Sequence, residues 1–132
     1  MRVIAGEAKK RKLKTPGHLP IRPTSDKIKG AIFNILGEFV TGASVLDLFA
    51  GTGNLGIEAL SRGASFVTFV DINEKAADLV KANLKITGFE RRANVIVGDG
   101  LKVLTRLDKQ DKKFDLVFID PPFESSLVKN SL

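Results

Sequence analysis

A chain of 132 residues, 43% hydrophobic and 27% charged, has material for one soluble globular domain built around one core. The absence of cysteine excludes disulfides, thiolate metal sites and cysteine nucleophiles, and with His18 the only histidine no His-rich zinc site can be assembled, so no metal is expected. The net charge of +6 is uneven: residues 1–30 hold nine of the 21 basic residues against two acids, Glu7 and Asp26, so the positive excess lies in the N-terminal arm.

A basic block of this kind suits the phosphate backbone of a nucleic acid, although a solubilising arm would show the same charge. Its candidate contacts are Arg2, Lys9, Lys10, Arg11, Lys12, Lys14 and Arg22. No apolar stretch follows the basic N-terminus, and no run approaches the ~18 apolar residues of a membrane helix, so a cytoplasmic protein without membrane contact is expected.

Residues 1–23 read as an extended basic segment preceding a domain at 24–132. Arg2-Val3-Ile4-Ala5-Gly6 and Lys12-Leu13-Lys14-Thr15 have strand character and can form a short hairpin. Pro16, Gly17, Pro20 and Pro23 then exclude a continuous helix. Thr24 or Ser25 can cap a helix that carries Asp26 in its first turn. Ile28, Ile32, Ile35, Leu36 and Phe39 follow at helical spacing and predict an apolar face packed on the core.

After Thr41-Gly42, short apolar strands are expected at residues 45–49, 66–70, 94–97 and 114–119. Between them, helices run from Asn54 to a glycine stop at Gly63, from the cap Asn73 to a stop at Gly88, and over residues 101–107. This alternation predicts an α/β fold with a doubly wound parallel sheet, Rossmann-like in plan.

Ligands of such sheets bind beyond the carboxyl ends of the strands. The first strand runs into Phe49-Ala50-Gly51-Thr52-Gly53-Asn54-Leu55-Gly56, a G-x-G-x-x-G pattern whose glycines let the backbone turn and approach a ligand. The second ends at Asp71-Ile72, with the acid twenty residues beyond Gly51, placed to accept from the hydroxyls of a ribose. A nucleoside cofactor follows, and NAD fits these features as well as S-adenosyl-L-methionine does. Asp47, inside the strand ahead of the glycines, turns the reading to S-adenosyl-L-methionine, because an acid there suits an ammonium group and repels a pyrophosphate. Asp99-Gly100, after the third strand, can meet the adenine amino group or cap the next helix.

The fourth strand ends in Asp120-Pro121-Pro122-Phe123. Successive prolines fix the backbone and leave carbonyls free to accept. A carboxylate and a proline carbonyl accepting the two N–H bonds of a nucleobase amine would localise its lone pair and aim it at a methyl donor, while Phe123 stacks on the unstacked base.

Met1-Arg2-Val3-Ile4-Ala5-Gly6, Arg22-Pro23-Thr24 leading into Ala31-Ile32-Phe33-Asn34, residues 45–56, Glu58-Ala59-Leu60-Ser61-Arg62-Gly63-Ala64, Asp71 and Asp120-Pro121-Pro122-Phe123 together resemble the RsmD family. The resemblance runs along nearly the whole chain to Phe123. It implies a class I S-adenosylmethionine-dependent methyltransferase fold and methyl transfer to N2 of one guanine in small-subunit (16S) ribosomal RNA, free or in the assembling small ribosomal subunit. It also implies catalysis centred on the Asp120 motif. Members continue past this motif, and their sheets carry more strands than the four legible here, so the sheet is expected to be truncated after its fourth core strand. The same final motif would also serve adenine N6 in DNA or a glutamine amide in protein. A nicotinamide oxidoreductase satisfies the glycine fingerprint but lacks an evident proton donor, and a shortened chain could act as a non-catalytic RNA-binding module.

Overall fold

Short apolar strands separated by well-capped helices have one economical packing, a parallel sheet with helices laid against its faces. The computed structural model, which describes residues 1–15, 17 and 24–120, has this arrangement. In chain order the elements are α1 (Asp26–Leu36), a 3₁₀ turn (Gly37–Val40), β1 (Ser44–Leu48), α2 (Asn54–Ser61), β2 (Phe66–Asp71) and α3 (Glu74–Thr87). A second 3₁₀ turn (Glu90–Arg92), β3 (Ala93–Val97), α4 (Gly100–Lys109) and β4 (Leu116–Ile119) complete them. Side chains set the helix starts: Ser25 accepts from the Ile28 amide, Asn73 from Lys75 and Ala76, and Asp99 from Leu101 and Lys102. Gly88, left-handed at φ 77°, stops α3 as expected.

The four strands are all parallel and lie in the order β3-β2-β1-β4. The chain winds outward from β1 to β3, then crosses back to lay β4 on the other side of β1. That reversal of strand order puts a switch point between β1 and β4. One sheet face carries Val45, Val67, Phe69 and Phe118 against α1, α2 and α3. The other packs Leu46, Leu48 and Val70 against Val103 and Leu107 of α4. All eight residues of α2 are buried, and Gly56 makes this possible, since a side-chain carbon there would run into the Phe69 ring.

Helix α1 departs from its predicted packing. Its buried residues are Lys29 and Phe33, Ile32 and Leu36 are partly buried, and Ile28, Ile35 and Phe39 stand exposed at 56%, 86% and 58%. A polar network decides the helix rotation. Lys29 Nζ donates to the Arg2 carbonyl (2.7 Å) and to Asn54 Oδ1 (2.7 Å), and lies 3.2 Å from Glu58 Oε1. Phe33, one turn on, shares that inward face; its ring meets Phe118 edge-on, with centroids 5.8 Å apart, and the Arg62 guanidinium lies 4.8 Å from its centre.

The first fifteen residues are not a loose arm. Arg2 and Lys12 form an antiparallel bridge, with Val3 N–H to Arg11 O and Lys10 N–H to Val3 O, both at 2.9 Å, closing a hairpin. Val3, Ala8 and Leu13 enter the same core as Ile57 and Leu60 of α2. Glu58 holds the hairpin by its backbone, accepting from the Ile4 and Ala5 amides at 2.9 and 3.1 Å. No helix among the described residues is long and apolar enough to cross a membrane.

Candidate functional site

At the switch point β1 ends one residue earlier than predicted, because Phe49 adopts a left-handed φ of 59°, a strained conformation for an aromatic residue. The turn continues through Gly51 and Gly53, at φ 58° and 81°, and Gly53 caps α2 with its backbone alone. Ala50 donates to the Val70 carbonyl (2.9 Å), which fastens the loop to β2. A side-chain carbon on Gly100 would come within 3.5 Å of the Phe49 ring, so the loop after β1 and the start of α4 meet.

Three carboxylates gather around this loop. Asp71, ending β2, accepts from the Gly51 amide through Oδ2 and from the Asn73 amide through Oδ1, both at 2.8 Å. Asp47, 2% exposed, faces Phe118 and the α2 side of the sheet and accepts from the Gly56 amide at 3.2 Å. Burial pushes its carboxyl up to about 8; the Gly56 hydrogen bond opposes the shift, and the charges of Asp120 and Asp71 reinforce it. Asp120, exposed directly after β4, accepts from the Thr24 hydroxyl through Oδ2 at 3.0 Å. The charges of Asp71 and Asp120 thus reach Asp47, though burial is the larger cause of its shift.

The other site residues expected from the sequence have varied surroundings. Asn54 turns its side chain away from the loop: Oδ1 takes Lys29 Nζ, and Nδ2 donates to the Thr24 carbonyl at 2.9 Å. Its amide contributes to scaffold and not to an open groove, because it is buried against Thr52. Asp99 caps α4 through Oδ1, at 3.0 and 3.1 Å from two amides, and is exposed. Ile72 is 70% exposed beside Asp71. Pro121, Pro122, Phe123, Arg22 and His18 lie outside the described residues.

Of the basic residues, Arg2 lies 3.5 Å from Asp26, and Arg11 donates to the Ile86 carbonyl at 2.9 Å. Lys9, Lys10, Lys12 and Lys14 are exposed. The hairpin and α1 enclose a shallow groove of about 610 Å³ whose lining includes Arg2, Lys9, Lys10 and Lys27. A second depression, of about 750 Å³, sits by the amino ends of the strands at Ser44, Phe66 and Ala93, opposite the acid cluster. Among the described residues no group of three or more His, Cys, Asp or Glu is arranged to hold a metal.

Sequence reasoning missed Thr24, Lys29 and Glu58 as parts of the site's support. The signal for Glu58 is misleading: Asn54, Glu58 and Ser61 recur at helical spacing and have the pattern of a solvent-facing stripe, yet all three are buried.

The family model described as conserved hypothetical protein 95 matches residues 1–132. A candidate rRNA methyltransferase of Bacillus subtilis (strain 168), YlbH, is 44% identical over 98% of this chain and 70% of its own length. Ribosomal RNA small subunit methyltransferase D of Haemophilus influenzae is 38% identical over 100% of this chain and 68% of its own. The solved structure of a candidate methyltransferase from Escherichia coli, yhhF, superposes with a TM-score of 0.80 at 32% identity, covering 99% of this chain and 69% of that one. The chain thus spans about 70% of the length of these proteins.

The displaced Asp47 ionisation has a measurable consequence. Unfolded, this carboxyl titrates near 3.8, and folded near 8, so between those values the folded chain binds the extra proton. Its contribution to stability is therefore present at acid pH and declines as pH rises from about 4 to about 8. Asp47→Asn retains an oxygen for the Gly56 amide and removes the titration. Denaturant unfolding at pH 5 and pH 8 is expected to show a smaller loss of stability with pH in the variant than in the parent. Equal losses would contradict the burial of an ionisable Asp47.

Proposed function

The chain belongs to the family described as conserved hypothetical protein 95, the RsmD family, and from that membership we propose that it transfers a methyl group from S-adenosyl-L-methionine to the exocyclic N2 of a guanine in small-subunit (16S) ribosomal RNA. The observation that carries this reading is that Asp71 and Asp47 accept from the Gly51 and Gly56 amides of the glycine motif, with Asp120 at the end of the neighbouring strand β4. The charged carboxylates of Asp71 and Asp120, with Asp47 ready to ionise beside a cation, favour the sulfonium and ammonium groups of this cofactor over the pyrophosphate of a dinucleotide. The names of the relatives, which specify ribosomal RNA, support the substrate.

The residues present fit such a cofactor. Each Asp71 oxygen holds one amide and keeps a second acceptor position for a ribose hydroxyl. Asp47 faces the ammonium, directly or through water, and its ionisation is favoured once that cation is near. Phe49, Ala50, Gly51 and Gly53 supply backbone at close approach, Ile72 an apolar flank, and Gly100 with the unused oxygen of Asp99 the adenine end. Bound there, the cofactor supplies an electrophilic methyl group.

The chain's own part in the chemistry is to present the amine. Asp120 accepts one of its N–H bonds, the Pro121 or Pro122 carbonyl accepts the other, and Phe123 stacks on the base that has been drawn from its helix. On methylation the amine gives up one proton, which the exposed Asp120 carboxylate can relay to water. Affinity for the polyanion comes from the groove between hairpin and α1, where Arg2, Lys9 and Lys10 line one wall. The partner is 16S rRNA or the assembling small subunit, in the cytoplasm.

Single-turnover methyl transfer by the full-length protein at saturating cofactor tests the catalytic assignment. Asp120→Ala is expected to lower the rate by about 10²–10³, with cofactor affinity nearly unchanged, and Asp120→Asn to lose less. A parental rate in Asp120→Ala would overturn it. RNA affinity tests the groove: replacing Lys9, Lys10 and Lys12 by Gln removes three exposed charges and leaves the bound Arg11 in place. The slope of log affinity against log salt should become shallower by about 0.7–0.9 for each phosphate that is no longer neutralised. An unchanged slope would show that the hairpin lysines do not meet RNA.

A further inference from the structure

We infer that Thr24 is a positioning residue for Asp120, holding one carboxylate oxygen so that the other faces the target amine; this rests on the catalytic reading of Asp120 given above. The contact joins residues 96 apart in sequence, the Thr24 hydroxyl donating to Asp120 Oδ2 at 3.0 Å. Asp120 follows the last residue of β4 and is exposed, so without such a partner its carboxylate would rotate among several orientations. A β-branched threonine suits the task, because its stiff χ1 fixes the direction of the hydroxyl.

Thr24 is itself held from the core side. Its carbonyl accepts Asn54 Nδ2 at 2.9 Å, Asn54 Oδ1 accepts Lys29 Nζ at 2.7 Å, and Lys29 is paired with Glu58 at 3.2 Å. Lys29 and Glu58 are both 0% exposed, so the far end of this chain of contacts is rigid. Ser25, the next residue, caps α1 and fixes the backbone on the other side. The buried ion pair, the first residue of the glycine-loop helix, Thr24 and the reactive carboxylate are thus one connected arrangement. It also explains why Asn54 turns inward: it supports the catalytic acid, where the cofactor would have used an outward side chain.

The hydroxyl can be removed at constant shape with Thr24→Val, which leaves the Thr24 carbonyl contact intact. Full-length parent, Thr24→Val, Thr24→Ser, Asp120→Ala and the Thr24→Val/Asp120→Ala double variant are compared by single-turnover methyl transfer to rRNA, with cofactor affinity and melting temperature measured alongside. Thr24→Val is expected to slow transfer by about tenfold or more, short of the loss in Asp120→Ala, with cofactor affinity and melting temperature near parental. Thr24→Ser is expected to recover most of that loss, and Thr24→Val to cost nothing further once Asp120 is alanine. A parental rate in Thr24→Val beside a crippled Asp120→Ala overturns the inference while leaving the catalytic reading in place. A rate loss accompanied by lost cofactor binding or a lowered melting temperature overturns it in favour of a structural role. A parental rate in Asp120→Ala overturns both.

Discussion

Moving a lysine and a glutamate out of water costs several kcal/mol for each charge, and their mutual attraction offsets this only when every remaining proton and lone pair is engaged. Lys29 and Glu58, each 0% exposed, meet that condition. The ammonium donates to the Arg2 carbonyl and to Asn54 Oδ1 and is paired with Glu58 Oε1 at 3.2 Å. The carboxylate takes Lys29, the Ile4 and Ala5 amides and Arg62 Nε, the last at 2.8 Å. No buried side-chain nitrogen or oxygen among the described residues lacks a partner. These contacts tie the hairpin, α1 and α2 into one body, and through Asn54 they reach the loop that carries the site.

What is legible in the sequence is local. The strand positions follow from short apolar runs, the α1 start from Thr24 or Ser25, the α3 start from Asn73 and its stop from Gly88, because caps and stops act within a few residues. The glycine loop and Asp71 are legible for the same reason: a tight turn requires glycine, and the acid's spacing from it is set by one βαβ unit. The face of α1 is not. Hydrophobic periodicity assigns Ile28, Ile35 and Phe39 inward, but one satisfied buried charge turns the helix toward Lys29 and Phe33. A lysine reads as a surface residue until its partners are known, and these come from residues 2, 54 and 58, scattered across the chain. Asn54 misleads for a related reason, since its position in the loop says nothing about which way its side chain turns.

The site concentrates features that work against stability. Phe49 is held at positive φ, and Asp47 is buried beneath two other acids. Both are sustained by a surrounding frame that over-determines them: the parallel pairing of β1 on each side, the Gly56 amide on Asp47, and the Ala50 bond to β2. Burial keeps Asp47 protonated in the free protein near neutral pH, and a cationic ligand would favour its ionisation, so the site would select for positive charge. The switch point supplies the place, because there the strand order reverses and the carboxyl ends of β1 and β4 stand side by side.

The dependence of this frame on one ion pair is open to direct measurement by a double-mutant cycle on Lys29→Met and Glu58→Gln, read from denaturant unfolding of the full-length protein. Each single replacement leaves a buried partner uncompensated and is expected to cost about 3–5 kcal/mol. The double replacement is expected to cost less than the sum of the two by about 2 kcal/mol or more. Additive losses would contradict the account, since they would mean that the two charges stabilise the fold independently and that no shared contact holds the hairpin, α1 and the glycine-loop helix together.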